Sequence, residues 1–359
     1  MAKTRVAVIF GGMSSEYEVS LQSAYSVIKN IDRRCYEVVC IGITKKGRWL
    51  YFPGDIEMIP EDKWSSHPDA VSVMISPDRT HRGIYKIMPD SSAVLQRIDV
   101  VFPVLHGKFG EDGTIQGLLE LSGIPYVGCD TLSSAVCLDK SMTHSVLDSL
   151  NIKNASWISF DLSALKEQDK LVEKVEAKFN YPVFVKPAKA GSSVGISKAH
   201  DRGELLEAVK TAFSHDDKVV IEETLVGKEV ECAVMGNDRP IASTVGEILP
   251  KAEFYDYEAK YLSGTTDLLI PASITEEETK KVKETAILAY KGLGCSGLTR
   301  MDFFVLKNGE VYLNEPNTLP GFTSISMYPK LFMHDGMTYS EIIDSLLELA
   351  IERADSYNG

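Results

Sequence analysis

Asn308-Gly309 stands between two apolar, aromatic-rich runs, Arg300-Met-Asp-Phe-Phe-Val-Leu-Lys307 and Glu310-Val-Tyr-Leu-Asn-Glu-Pro-Asn317. No other short stretch limits the topology as tightly, because an Asn-Gly pair in this setting closes a β-hairpin with a two-residue primed turn. Such a turn sets Lys307 opposite Glu310, Phe304 opposite Leu313, Asp302 opposite Glu315 and Arg300 opposite Asn317. Side chains alternate along a strand, so Arg300, Asp302, Glu315 and Asn317 share one face at the open end. Two carboxylates and an amide beside an arginine make a poor core. They suit a pair of hard divalent cations carrying phosphate oxygens, with Arg300 left to meet developing negative charge. A solvated sheet end with a surface salt bridge would use the same residues. A slip of one residue would scatter the set over both faces.

The 359 residues are long enough for two or three domains around a large core. With 38 basic and 51 acidic residues the formal net charge is −13, which argues against nucleic-acid and anionic-membrane partners. Any phosphate site must then be local, made of backbone amides and a few lysines. No apolar run approaches the ~18 residues of a membrane span, and the first residues run straight into a strand rather than a signal peptide. The six cysteines lack paired metal spacing and fall mostly in apolar runs, as expected of reduced, buried thiols in a cytoplasmic protein.

Residues 6–10 form a continuous apolar run, the pattern of a buried parallel strand. Gly11-Gly12 follows, and Ser14-Ser15-Glu16-Tyr17-Glu18 opens a helix in which Ser15 and Glu18 have capping-box spacing. Glu16 has no such duty. It sits where a strand end, a glycine turn and a helix N-terminus meet, the usual ligand position of an open α/β sheet; the alternative is a first-turn acid that merely complements the helix dipole. The third glycine of a dinucleotide fingerprint is missing, which weakens a dehydrogenase reading. Strands are expected over 38–43, 99–105 and 124–127, with a polar elaboration over 44–95 in which nothing suggests chemistry. His106 ends the 99–105 strand beside the turn Gly107-Lys-Phe-Gly-Glu-Asp-Gly113, where it either donates to a carboxylate or phosphate or pins its own loop.

Beyond Cys137 the composition shifts. Lys186 closes an apolar strand and leads into Pro187-Ala-Lys-Ala-Gly-Ser-Ser-Val-Gly195, whose glycines leave several amides free to aim at an anion and whose serines add hydroxyls. A flexible hairpin loop would look similar. The strand 219–223, the break Thr224-Leu-Val-Gly-Lys-Glu229 and the strand 230–235 make a slot where a purine edge could pair, with Glu222 accepting from an exocyclic amine and Glu229 from ribose hydroxyls. Residues 251–271, with Tyr257, Lys260 and Tyr261, have no clean apolar stripe and are expected to be a lid. Thr275 and Glu278 form a second capping box, opening a helix to about residue 291.

A lysine-ended strand, a Gly-Ser loop, a hinge and a carboxylate hairpin together point to an ATP- and Mg²⁺-dependent enzyme. At this point five blocks, in order, carry a resemblance: Phe10-Gly-Gly-Met-Ser-Ser-Glu-Tyr-Glu-Val-Ser-Leu21, Leu105-His-Gly-Lys-Phe-Gly-Glu-Asp-Gly113, Val185-Lys-Pro-Ala-Lys-Ala-Gly-Ser-Ser-Val-Gly195, residues 254–261, and Asn314-Glu-Pro-Asn-Thr-Leu-Pro-Gly-Phe-Thr-Ser324. Over nearly its whole length the chain resembles the ATP-grasp ligases, and among them the D-alanine–D-alanine ligase family. The resemblance implies an α/β and α+β ATP-grasp architecture. An N-terminal open parallel α/β sheet domain (1–137) would precede two α+β units (138–224 and 225–359) that sandwich ATP.

It also implies roles. Lys140 and Lys186 would hold the α- and β-phosphates, with Ser192 and Ser193 over the γ-phosphate and Lys260 on the nucleotide from the lid. Glu222, Glu223, the Leu225 backbone and Glu229 would bind adenine and ribose. Asp302, Glu315 and Asn317 would ligate two Mg²⁺ or Mn²⁺ ions. Glu16 would anchor the first D-alanine's ammonium with His106 near its carboxylate, and Ser326 and Met327 would receive the second D-alanine. Arg300 and the Gly321 amide would form an oxyanion site, while Glu16, Ser192 and Tyr261 would make a hydrogen-bonded trio. A cytoplasmic homodimer making peptidoglycan precursor is what the family leads one to expect. Ligases forming D-alanyl-D-serine or D-alanyl-D-lactate share nearly all these motifs, and a nucleotide-binding regulator without chemistry is an alternative of another class.

Overall fold

The computed structural model describes residues 3–249 and 267–358. Lys260, Tyr261 and most of the stretch expected to be a lid lie outside the described residues. Of that stretch, Asp267–Leu269 is an edge strand.

Among the described residues three sheets form. The first contains β1 (Thr4–Gly11), β2 (Tyr36–Ile43), β3 (Trp49–Phe52), β4 (Val71–Ile75), β5 (Gly83–Ile87), β6 (Ala93–Arg97) and β7 (Val100–Val104), in the order β6-β5-β4-β3-β2-β1-β7. The apolar run behind β1 is explained by burial on both faces. Val6, Val8 and Phe10 enter one core, with the helix Tyr17–Asn30, while Ala7 and Ile9 enter another, with the helix Thr114–Ser122. The β1–β2 and β1–β7 pairs are parallel. The stretch read as a plain elaboration instead extends the sheet by β3 to β6, all paired antiparallel, so the sheet is mixed. That stretch also braces the site from behind: Asp62 accepts from the Tyr17 hydroxyl at 2.6 Å, next to Glu16.

The second sheet is antiparallel, with β8 (Trp157–Asp161), β9 (Val183–Pro187), β10 (Ser197–Ala199) and β11 (Lys218–Glu223) in the order β10-β9-β11-β8. Its apolar face packs on the helices Gln168–Lys178 and Arg202–Phe213. The third holds β12 (Gly227–Gly236), β13 (Ile241–Leu249), β14 (Asp267–Leu269), β15 (Gly297–Leu306) and β16 (Val311–Asn317) in the order β14-β13-β12-β15-β16. The helix Glu276–Gly292 covers one of its faces and begins with the expected Thr275–Glu278 capping box. The C-terminal helix Tyr339–Asn358 returns to the first sheet, where Ile342, Ile343, Leu346 and Leu347 share a core with Val27 and Ile28.

Two local expectations fail. Glu16, not Ser15, is the residue that precedes the helix Tyr17–Asn30, and it makes no side-chain cap. Glu18 turns outward to an ion pair with Lys45. The hairpin turn is also one residue longer than its Asn-Gly pair suggests. Leu306 pairs with Glu310, leaving Lys307, Asn308 and Gly309 in the loop, with Gly309 at φ +76°. This is a type I turn completed by a left-handed glycine, the three-residue alternative to a primed turn. Phe304 consequently faces Tyr312 rather than Leu313.

Candidate functional site

The slip introduced by the turn is undone before it reaches the polar end. A β-bulge between Asp302 and Phe303 leaves Asn314 as an extra residue on β16, after which Asp302 faces Glu315 and Arg300 faces Asn317. Without the bulge, Glu315 and Asn317 would follow Leu313, which is fully buried with Phe303, onto the core face. With it, they share the face of Asp302 and Arg300. On the other side of β15, Glu231 of β12 pairs with Asp302. Glu231, Asp302 and Glu315 thus form a row of carboxylates across three strands.

Arg300 neutralises part of that row. Its Nε and one terminal nitrogen each donate to an Asp302 oxygen at 2.7 Å, and Nε lies 3.1 Å from Glu231 Oε2. Asn317 Nδ2 donates to Asp302 at 2.9 Å. Lys140 stands above Glu315 at 4.0 Å and donates to the Ala190 carbonyl at 2.9 Å. Its place is fixed by the helix Lys140–Ser149, which Asp139 caps through the Ser141 and Met142 amides.

Glu16 and this assembly line one cavity of about 410 Å³. It is 6% exposed and accepts from the Ser192 hydroxyl. Two glycines make room: a Cβ at Gly107 would stand 2.4 Å from Glu16 Oε2, and one at Gly191 would stand 3.1 Å from the same atom. Ser192 and Ser193 hold left-handed backbone at φ +50° and +60°, unusual for non-glycine residues and typical of loops shaped for a ligand. His106 lines the cavity as well. Its Nδ1 lies 2.9 Å from the Leu319 carbonyl and its Nε2 3.3 Å from the Ser23 hydroxyl. Burial holds the ring below its usual pKa, so it donates from Nδ1 as a neutral imidazole. Its present bonds pin the 318–322 loop rather than its own.

Glu229, Gly321, Ser326 and Met327 complete the lining among the expected residues. The Ser326 hydroxyl accepts from the Thr323 amide at 2.9 Å and begins the helix Met327–His334, while the Met327 sulfur lies against Gly246. Lys186 and Glu222 are not among the residues lining this cavity; they form a largely buried pair, Nζ to Oε2 at 2.6 Å. His144 binds the other Glu222 oxygen at 3.0 Å. Burial opposes ionisation of Glu222, yet Lys186 and His144 outweigh it and hold its pKa at about 2. Glu223 points to the other side of β11 and accepts from the Ser156 amide at 2.7 Å. Leu225 lies in the connection between β11 and β12.

Three side chains escaped the sequence reading. Glu111 accepts from the amides of Gly107 at 2.8 Å and Leu319 at 3.2 Å; burial, and then the nearby Glu16 charge, push its pKa up to about 8. Its signal was its place in the same glycine-rich block as His106. Glu231 shares the strand face of Glu229, one period-2 step on, but nothing local ties it to the hairpin. His144 lies one helical turn after Lys140, a spacing that needs the helix to be seen first.

Among the described residues no three His, Cys, Asp or Glu side chains are placed to hold a metal ion by themselves. The hairpin mouth offers two carboxylates and an amide oxygen, a hard donor set. It suits Mg²⁺, which keeps several waters and takes phosphate oxygens to complete its shell.

An open α/β sheet set against two α+β units, with the cleft between them, defines the class as ATP-grasp. Within it, residues 5–129 match the family model described as D-ala D-ala ligase N-terminus, and residues 146–348 match the one described as D-ala D-ala ligase C-terminus. The chain belongs to the D-ala D-ala ligase family. It is 51% identical to the D-alanine–D-alanine ligase of Acetivibrio thermocellus, over 98% of this chain and 96% of that protein. It is 49% identical to that of Caldicellulosiruptor bescii, with the same coverage. Among solved structures, the VanG D-Ala:D-Ser ligase from Enterococcus faecalis superposes with a TM-score of 0.90 at 42% identity, covering 97% of this chain and all of that one. The D-alanine–D-alanine ligase from Coxiella burnetii gives 0.84 at 34% identity, covering 99% of this chain and 97% of that one.

Proposed function

We propose that this chain joins two D-alanines into D-alanyl-D-alanine at the expense of ATP, through D-alanyl phosphate, for peptidoglycan precursor synthesis. One observation carries the reading beyond family membership: Glu16 lines the same cavity as Arg300, Asp302 and Glu315 of the hairpin mouth. An amino acid whose ammonium is anchored at Glu16 presents its carboxylate toward the hairpin mouth, where the charge of phosphoryl transfer is to be met.

In this reading Asp302, Glu315 and Asn317 hold two Mg²⁺ or Mn²⁺ ions, which when bound neutralise charge on the phosphates. Lys140 and Lys186 meet the α- and β-phosphates, Lys186 turning from its pair with Glu222 to do so. Ser192 and Ser193 bring hydroxyls and loop amides to the γ-phosphate. Glu222, Glu223, the Leu225 backbone and Glu229 surround adenine and ribose. His106 sits near the first substrate's carboxylate and, with its one N–H on the Leu319 carbonyl, holds the 318–322 loop in place beside it. Arg300 and the Gly321 amide stabilise the oxyanion formed when the second amine attacks, a contribution of the kind worth about 3 kcal/mol when one donor is removed. Ser326 and Met327 border the second substrate. We place the enzyme in the cytoplasm as a homodimer; among the described residues no helix is long and apolar enough to cross a membrane.

The similarity to a D-Ala:D-Ser ligase favours a second reading, with D-serine as acceptor. Product analysis by mass spectrometry separates the two. D-alanine is supplied with ATP and Mg²⁺, alone and with D-serine or D-lactate in equal amounts. D-alanyl-D-alanine is expected to dominate every mixture. Dominant D-alanyl-D-serine would move the assignment to the second reading, and no condensed product with any acceptor would overturn both.

A further inference from the structure

Glu231 is a carboxylate only 5% exposed, pointing into the site from a strand that supplies none of the candidate metal ligands. A buried carboxylate needs a nearby cation, because desolvation alone costs several kcal/mol. Here that cation is Arg300, at 3.1 Å. Arg300 is simultaneously bound by both oxygens of Asp302, at 2.7 Å each. Asn317 takes a further lone pair on Asp302 Oδ2. A carboxylate has about four lone-pair sites, so three protein donors leave Asp302 little room for a cation, and Arg300 adds a competing positive charge.

Asp302 therefore cannot serve a metal fully while it also holds Arg300. We propose that Glu231 is the positioning residue that resolves this conflict: as divalent cations take Asp302, Arg300 passes to Glu231 and stays aimed into the cavity. The three-strand register makes the transfer short, since Glu231 lies directly opposite Asp302 and Arg300 is two residues away on the same face. Glu231 is not itself a ligand in this account, in keeping with the absence, among the described residues, of a three-carboxylate cluster placed to hold an ion. The arginine must be kept near the reacting acyl group without being lost to the metal's counter-charge. A second acid, placed behind it, does both.

The inference rests on the ligase reading, and its test reads metal affinity as well as turnover. Mn²⁺ binding is measured by electron paramagnetic resonance titration on the full chain with a non-hydrolysable ATP analogue, for the wild type, Glu231→Gln, Arg300→Gln and the double variant. Glu231→Gln is expected to weaken Mn²⁺ binding about tenfold, because Arg300 then has Asp302 as its principal counter-ion; in the Arg300→Gln background the same change should matter by less than about twofold. At saturating Mn²⁺, Glu231→Gln should lower kcat while leaving the KM for ATP nearly unchanged, and Glu231→Asp should restore part of kcat. Mn²⁺ affinity within about twofold of wild type in Glu231→Gln, or a loss undiminished in the Arg300→Gln background, would overturn the proposal. If Glu231→Gln does not fold, Glu231→Ala takes its place in the cycle, with the same dependence on Arg300 expected and the same results contradicting it. A wild-type chain that binds Mn²⁺ but releases no phosphate with D-alanine would refute the ligase reading and leave the cycle readable.

Discussion

Asp302 and Glu315 face each other across β15 and β16 because two irregularities cancel: a three-residue turn moves the ladder one step, and the bulge at Asn314 moves it back. The pairing at the polar end thus has the register of a two-residue turn that the hairpin does not have.

Glu315→Gln tests the chemical side of that pairing. It keeps size and one acceptor oxygen but removes a charge from the hairpin mouth. We expect kcat to fall by at least about 100-fold, beyond the usual effect of a residue that only supports a ligand. Thermal stability should stay close to wild type, since Glu315 is about a third exposed (31% for its side chain). Near-normal turnover at saturating Mg²⁺ would remove Glu315 from the metal site.

Glu16→Gln should separate amino-acid capture from nucleotide binding. Glu16 meets Ser192 and the glycine turns but not the Lys186–Glu222 pair. The KM for D-alanine is expected to rise about tenfold or more while the Kd for ATP changes little; a charge-assisted hydrogen bond of ~1.5–3 kcal/mol sets that scale. Equal losses for both ligands would mean that Glu16 supports the fold of the cleft rather than the substrate.

The parts of the site that local pattern could reach were legible in the sequence. A continuous apolar run marked β1, the Asn-Gly pair between apolar runs marked the hairpin, glycine content marked the turns around Glu16 and the Ser192–Ser193 loop, and the Thr275 capping box marked its helix. What was hidden depended on pairing between distant segments. Glu231 becomes part of the carboxylate row only once β12 lies beside β15, a contact that no local signal specifies. The antiparallel strands β3 to β6 were masked because they are short runs of four or five residues set in polar, proline-containing sequence, with only pairs such as Leu50 and Phe52 or Val73 and Ile75 turned inward. The turn was misjudged because Asn-Gly serves both the two-residue loop and the left-handed end of a three-residue one.

Glu222 predicts an acid-sensitive fold. Its carboxyl is held down at about 2, so it binds fewer protons folded than unfolded as pH falls from the usual carboxylate range near 4.5. The stability it contributes is present above that range and is lost as pH drops toward 2, with a slope of at most ~1.4 kcal/mol per pH unit. Glu222→Gln should destabilise the protein by about 3 kcal/mol at pH 7, where Lys186 loses its counter-ion, and should flatten the acid limb. Melting curves between pH 3 and 7 that run parallel for the two proteins would contradict this.

Glu111 predicts the opposite sign. With its pKa raised to about 8, the folded chain keeps a proton that the unfolded chain releases near 4.5, so stability falls as pH rises between those values. In Glu111→Gln that fall should shrink by at most ~1.4 kcal/mol per pH unit. The variant also loses an acceptor for one of the amides of Gly107 and Leu319, which adds a constant offset. The slope of the difference between pH 5 and 8 is therefore the measurement; a flat difference would show that Glu111 is ionised throughout.

The central claim is that the cleft activates a carboxylate by phosphorylating it, and oxygen tracing tests that most directly. D-alanine labelled with ¹⁸O in its carboxylate is supplied with unlabelled ATP and Mg²⁺, and the released inorganic phosphate is analysed by mass spectrometry. Attack of the carboxylate on the γ-phosphate, followed by amide formation, predicts a single ¹⁸O in each phosphate released. Phosphate released in step with dipeptide but carrying no ¹⁸O would show that water, not the substrate carboxylate, takes the phosphoryl group, and would contradict the account.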